Sequence, residues 1–164
     1  MVRKNINLST GYVGLAGRPN VGKSSLMNQA IGTQVSIVTK RKQTTRSPVL
    51  GVFSSPDCQI AFLDNPGIDF KNSLLLNKRL KKIAFSNVAY THINIMILEA
   101  TKFLADDRKI LQNMPDDIPL IIVLNKVDKI QTPVQKEAMY KIVTDLEKFK
   151  PLEIIPVSVK KKYQ

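Results

Sequence analysis

Tryptophan is absent from this chain of 164 residues, and cysteine and histidine occur once each. One cysteine, Cys58, rules out a disulfide framework and suits a reducing cytoplasm, where it reads as a packing residue ahead of a strand. The lone His92 has no cysteine or carboxylate beside it, so it reads as structural rather than metal-ligating. No apolar run approaches bilayer-spanning length, and Met1-Val2-Arg3-Lys4-Asn5 lacks a signal-peptide core. Internal repeats and low-complexity tracts are missing too, which leaves one domain long enough to bury a core. Acidic residues are scarce, 13 against 25 Lys and Arg, for a formal net charge of +12. Basic clusters at Lys40-Arg41-Lys42, at Lys78-Arg79 with Lys81-Lys82, and at Lys160-Lys161-Lys162 favour polyanionic partners, RNA first and an acidic membrane surface second. A general lysine-rich bias is the competing explanation.

What the chain does contain is a phosphate-binding pattern. Gly17-Arg18-Pro19-Asn20-Val21-Gly22-Lys23-Ser24 fits G-x-x-x-x-G-K-[ST] at every fixed position. Glycines let the backbone curl so that successive N–H groups point inward at phosphate oxygens. Lys23 would reach the β- and γ-phosphates, and the Ser24 hydroxyl would bind Mg²⁺. The flanks agree. Residues 12–16 read as a buried strand and residues 24–31, with Ser25 in the first turn, as a helix whose N-terminal dipole adds to the anion site.

The base is chosen a hundred residues later. Asn125-Lys126-Val127-Asp128 follows the apolar run 120–124 and so sits at the carboxyl end of a strand, where open α/β sheets bind ligands. The Asp128 carboxylate can accept from both N1–H and the exocyclic amine of guanine. Adenine offers neither donor and would leave the charge unmatched. Asn125 would meet the N7 side, and the Lys126 stem would lie against the ring. Between the two motifs the apolar run 59–63 ends in Asp64-Asn65-Pro66-Gly67. Asp64 suits Mg²⁺ through a water, and the Gly67 N–H can meet a γ-phosphate oxygen because no side chain blocks the approach. Each short motif alone reads as an ordinary turn; together, in this order, they read as one guanine-nucleotide site.

The coarse pattern is strand, helix, loop, two strands between about Pro48 and Leu63, then helix and strand in alternation to the end. Residues 74–88 look helical, with Leu76, Leu80, Ile83 and Ala84 on one face. The pair before that helix can form an antiparallel hairpin, and the other strands should be parallel. The expected class is α/β: a three-layer α/β/α P-loop NTPase with a six-stranded, mostly parallel sheet and one antiparallel edge strand.

These motifs, with the segments between them, resemble the Era-type GTPases of bacterial ribosome assembly. The loop reads G-R-P-N-V-G-K-S as that family's does. Val35 to Arg46, with Gln43-Thr44-Thr45-Arg46 at its end, is similar to the family's first switch, Glu99 to Asp107 to the segment after its fourth strand, and Ile154 to Ser158 to the strand carrying its last guanine-contacting motif, here Ser158-Val159. The likeness covers nearly the whole chain and implies bound GTP or GDP with Mg²⁺. It places a metal-completing switch threonine at Thr45, with Thr44 as the alternative, so Ser24, Thr45 and Asp64 form the implied metal set. Lys23, Thr45 and Gly67 are the implied catalytic groups.

Several positions depart from expectation. Ras-like enzymes orient the attacking water with a glutamine just after D-x-x-G, and Ile68 stands there instead. The resemblance implies K⁺ near the phosphates, bound with help from Asn20; a turn residue beside Pro19 is the other reading. Asn65 replaces the family's usual threonine, and Val159 replaces the alanine of its closing Ser-Ala. The family continues beyond Gln164 with a helix and an RNA-binding KH domain, so residues 1–164 read as a G domain truncated after the last guanine-contacting motif. From this follow an exposed apolar patch near the final strand and marginal stability without nucleotide. The implied function is a slow, cytoplasmic, monomeric GTP-hydrolysing switch in small-subunit (30S) assembly with 16S ribosomal RNA as partner. Two alternatives stand beside it: a guanine-nucleotide or RNA-binding module that no longer cycles, and a GTPase of the same superfamily acting on the large subunit or tRNA.

Overall fold

A computed structural model describes residues 9–33, 47–70 and 75–161. Six strands form one sheet in the order β2-β3-β1-β4-β5-β6. The strands are β1 (Ser9–Ala16), β2 (Val49–Ser54), β3 (Cys58–Asp64), β4 (Ile93–Glu99), β5 (Leu120–Asn125) and β6 (Glu153–Val157). The helices are α1 (Lys23–Ile31), α2 (Leu75–Val88), α3 (Ala105–Gln112) and α4 (Pro133–Glu147). Only the edge pair β2–β3 is antiparallel; β3, β1, β4, β5 and β6 run parallel. The mixed α/β architecture expected from the alternation of apolar runs is therefore the one observed.

Alternation along the central strands divides the core in two. Met96 and Leu98 point to the face covered by α2, α3 and α4, where they meet Ala84, Val88, Ile110, Leu111 and Leu146. Ile97, between them, points to the opposite face and meets Leu15, Val21, Met27 and Val123 beneath α1. Among the described residues α1 is the sole helix on that second face. Val13, Ile95, Ile121 and Val157 are accordingly only partly buried there. On α2 the apolar stripe is Leu80, Ala84 and Val88, spaced by four residues; Leu76, expected on that stripe, is half exposed.

Strand order places the ligand end. β1 lies between β3 and β4, so the connections leaving β1 and β4 diverge to opposite sides and open a crevice beyond the carboxyl ends of the strands. The phosphate loop, the D-x-P-G turn, Glu99, Asn125 and Ser158 all follow or close strands at this end.

Candidate functional site

The loop from Gly17 to Gly22 is fastened from several sides. Gly22 caps α1 with φ 111°, a left-handed conformation, and a Cβ there would stand 2.2 Å from the Asn125 side chain. Only glycine satisfies both demands. Asn20 also adopts a positive φ, 63°, the conformation in which asparagine is favoured over other residues with side chains. Lys23, the first residue of α1, folds back so that Nζ donates to the carbonyls of Gly17 and Arg18 at 3.2 and 3.1 Å. Its side chain is almost wholly buried. Burial lowers its pKa to about 8, an effect that Asp64 opposes and Arg18 reinforces. An ammonium held in this way lacks water as a counter-dipole, which is what makes an incoming phosphate attractive to it.

The D-x-P-G turn lies directly against the loop. Ser24 Oγ donates to Asp64 Oδ2 at 2.5 Å, and the Ile68 N–H donates to Gly17 O at 3.1 Å. A Cβ on Gly67 would lie 2.7 Å from the Pro19 backbone, so this approach also requires glycine. The pair of hard oxygen donors, a serine hydroxyl and a buried carboxylate, has the chemistry that suits Mg²⁺ rather than a softer metal. Asn65 is fully buried: its Nδ2 donates to Leu15 O at 3.2 Å and its Oδ1 accepts from Asn87 of α2 at 2.7 Å. Its amide supplies a separate donor and acceptor atom to the two contacts. Ile68 packs in the main core, turned away from the crevice.

The base-reading motif is joined to the loop across the whole intervening sequence. Asn125 Nδ2 donates to Val21 O at 2.8 Å, and Lys126 Nζ donates to Asn20 O at 2.7 Å. Asn125 Oδ1 accepts the N–H groups of Lys126 and Val159 at 2.7 and 3.2 Å, drawing in the final motif. Val127 opens a short 3-10 turn that carries Asp128. Ser158 Oγ donates to Asp128 Oδ1 at 2.6 Å and holds that carboxyl below its ordinary pKa. An ionised carboxylate is what two guanine donors would require.

Thus Gly17 to Ser25, Asp64 to Gly67, Asn125 to Asp128, and Ser158 with Val159 converge on one crevice, whereas Ile68, expected at the nucleotide, packs into the main core. Thr44 and Thr45 fall outside the described residues. Two supporting residues escaped the sequence reading. Glu99, at the end of β4, accepts from Lys126 and forms an ion pair with Lys102 at 2.9 Å. Burial alone would raise its pKa, but hydrogen bonds from Lys126 and Lys102 prevail and bring it to about 2. Asp107 of α3, fully buried, accepts from Arg18 Nε at 2.6 Å and from the Leu104 N–H at 2.9 Å. The one sequence signal for Asp107 was an acidic residue three positions after a possible helix start.

Fold and crevice together define a P-loop domain of the GTPase type. Residues 12–126 match the family described as 50S ribosome-binding GTPase, and the chain belongs to that family. Within it the chain is similar to GTPase Era of Chromobacterium violaceum, 37% identical over 88% of this chain and 49% of that protein. A crystal structure of Era in complex with MgGDPNP and a segment of 16S ribosomal RNA superposes with TM-score 0.84 at 36% identity, over 95% of this chain and 53% of that one. An Aquifex aeolicus Era variant bound to GDP and AlF4⁻ gives TM-score 0.85 at 34% identity over the same shares. The chain spans about half the length of the curated relatives it matches.

Proposed function

We propose that this chain is the nucleotide-binding domain of a GTP-hydrolysing switch that works on the small ribosomal subunit with 16S ribosomal RNA as partner. The observation that carries the proposal is the direct bonding of Asn125 and Lys126 to Val21 and Asn20, which makes phosphate loop and base reader one pocket. The Era relatives support the partner, since one of them is solved with a 16S ribosomal RNA segment.

In this reading Lys23 and the loop N–H groups hold the β- and γ-phosphates, and Asp128 selects guanine. The Gly67 N–H senses the terminal phosphate. Ser24, Asp64 and Thr45 would hold Mg²⁺, which when bound neutralises charge on the phosphate oxygens. With Ile68 committed to the core, the position directly after the D-x-P-G turn offers no polar side chain to orient water. Turnover is therefore slow, resting on fixed positive charge and backbone dipoles. Asn20, exposed at the rim of the loop, is the residue that would help seat K⁺.

Calorimetry with Mg²⁺ present tests the pocket. GDP should bind at least about a hundredfold more tightly than ADP, and equal affinities would overturn the assignment. GTP turnover in K⁺ against Na⁺ tests the switch. Faster release of phosphate in K⁺, abolished by Lys23→Ala, is the expected result. Tight binding of both guanine nucleotides with no turnover in either salt would favour the non-cycling module instead.

A further inference from the structure

At the crevice Lys23, Asp64, Glu99, Lys126 and Asp128 each have a bonded neighbour, but among the described residues the cations on the outer face of α2 do not. From Phe70 to Leu98 the chain contains no Asp or Glu. Within that stretch α2 presents Lys78, Arg79 and Lys82 to solvent along one side, since positions three and four apart share a helix face. Lys81 is excluded from this group because its Nζ lies over the Phe70 ring at 5.0 Å. Among the described residues no ion pair involves Lys78, Arg79 or Lys82. On α4, by contrast, Lys141 pairs with Glu137 at 3.0 Å, and Asp145 pairs with Lys148 just past the helix at 2.5 Å.

Flat rings gather where α2 ends. Tyr90, in the turn after the helix, is 82% exposed. Two residues on, His92 is exposed and stacks on the half-exposed Tyr12 of β1, with ring centroids 5.8 Å apart and planes inclined by 13°. His92 Nδ1 accepts the Tyr12 N–H at 2.9 Å and the His92 N–H donates to Tyr12 O at 2.9 Å, so the stacked pair is held by two backbone contacts. This end of the sheet lies opposite the nucleotide crevice.

We infer that the outer face of α2, with the rings at its carboxyl end, is a docking surface for single-stranded RNA, separate from the nucleotide pocket. Unpaired cations match a phosphate backbone, and exposed rings offer stacking planes that any base can use. An acidic peptide would account for the cations and leave the rings without a role. This inference rests on the RNA partnership proposed above.

The test uses the whole chain and a labelled oligouridylate, with binding followed by fluorescence anisotropy across a KCl series. Replacing three phosphate-contacting cations, Lys78→Gln, Arg79→Gln and Lys82→Gln together, should reduce the slope of log affinity against log salt by about 2. Tyr90→Ala should lower affinity about tenfold at every salt concentration with the slope unchanged. GDP affinity should stay at the wild-type value in both variants, reporting an intact fold. An unchanged slope in the triple variant overturns the surface. So does an equal fall when Lys136 and Lys141 of α4 are neutralised, which would mean that only net charge matters. Loss of binding confined to phosphatidylglycerol vesicles, with oligouridylate binding intact, overturns it in favour of a membrane. Wild-type binding to RNA that the variants retain sinks the surface alone. No wild-type binding to this RNA or to the 16S 3′ segment sinks the RNA partnership as well.

Discussion

Around the nucleotide crevice, polar side chains hold one another: Lys23 on two carbonyls, Asn125 on Val21, Lys126 on Asn20 and Glu99, Ser158 on Asp128. Along α2, three cations stand in solvent with no ion pair among the described residues. The crevice commits its geometry during folding, so a ligand meets donors that need not reorganise. The outer face keeps its charges in solvent, at little cost to stability, where the proposed RNA would meet them. In the reading proposed here, one region selects among small ligands and the other adheres to a large one. Mutations should therefore have very different effects in the two regions.

The largest effect belongs to Lys23. Lys23→Ala should weaken GDP by about a hundredfold or more, because a buried charged donor is lost, and calorimetry reads this directly. The same residue gives the contrast a pH signature. Its pKa in the fold is about 8 against an ordinary 10.5, so the ammonium is lost as pH rises through about 8. GDP affinity should then fall by about tenfold per pH unit just above that point. Stability of the empty protein should move the other way. The unfolded chain binds the proton more tightly, so the fold gains stability as pH climbs from about 8 towards 10.5. A Lys23→Met variant should show neither trend in denaturant titrations.

Next comes Glu99→Gln, which takes from Lys126 its anionic anchor. Guanine-nucleotide affinity should fall about tenfold, the scale of a charge-assisted hydrogen bond. Because Glu99 is held near 2, its contribution is complete above its ordinary value of about 4.5 and is lost only as pH falls towards 2. The gap between wild type and variant should thus be constant from neutral pH down to mild acid and close below it. An Asn87→Ala change, which removes the α2 contact to Asn65, should cost about 1 kcal/mol and lower the melting temperature by a few degrees. The smallest effect should be Lys141→Ala on α4, within about 0.5 kcal/mol of wild type, since its ion pair is exposed. A loss there as large as that of Glu99→Gln would erase the distinction between crevice and exposed surface.

Much of the site was legible because its chemistry is local. A loop of fixed spacing, a strand end followed by N-K-x-D, and an apolar run ending in D-x-P-G each announce themselves within a few residues. The fold was legible because the apolar runs alternate with amphipathic stretches. What stayed hidden depends on partners far along the chain. The strand read at residues 12–16 begins earlier, at Ser9, because Ser9, Thr10 and Gly11 pair with Cys58, Gln59 and Ile60. Glu99 had no assignable role until the fold brought Lys126, distant in sequence, against it. Leu76 fitted the apolar stripe by spacing and is half exposed, because the core contacts of α2 begin one turn later at Leu80. His92 reads as a structural histidine; its stack on Tyr12 of β1 forms just before β4 begins, where local spacing cannot reveal it.

Asp107 has a reach that its position in α3 conceals. One carboxylate oxygen fastens the start of the helix through Leu104, and the other clasps Arg18. The start of α3 and the phosphate loop are thereby tethered, so a load on α3 would be felt at Arg18. A helix standing behind the crevice can in this way bear on how firmly the loop in front of it is held.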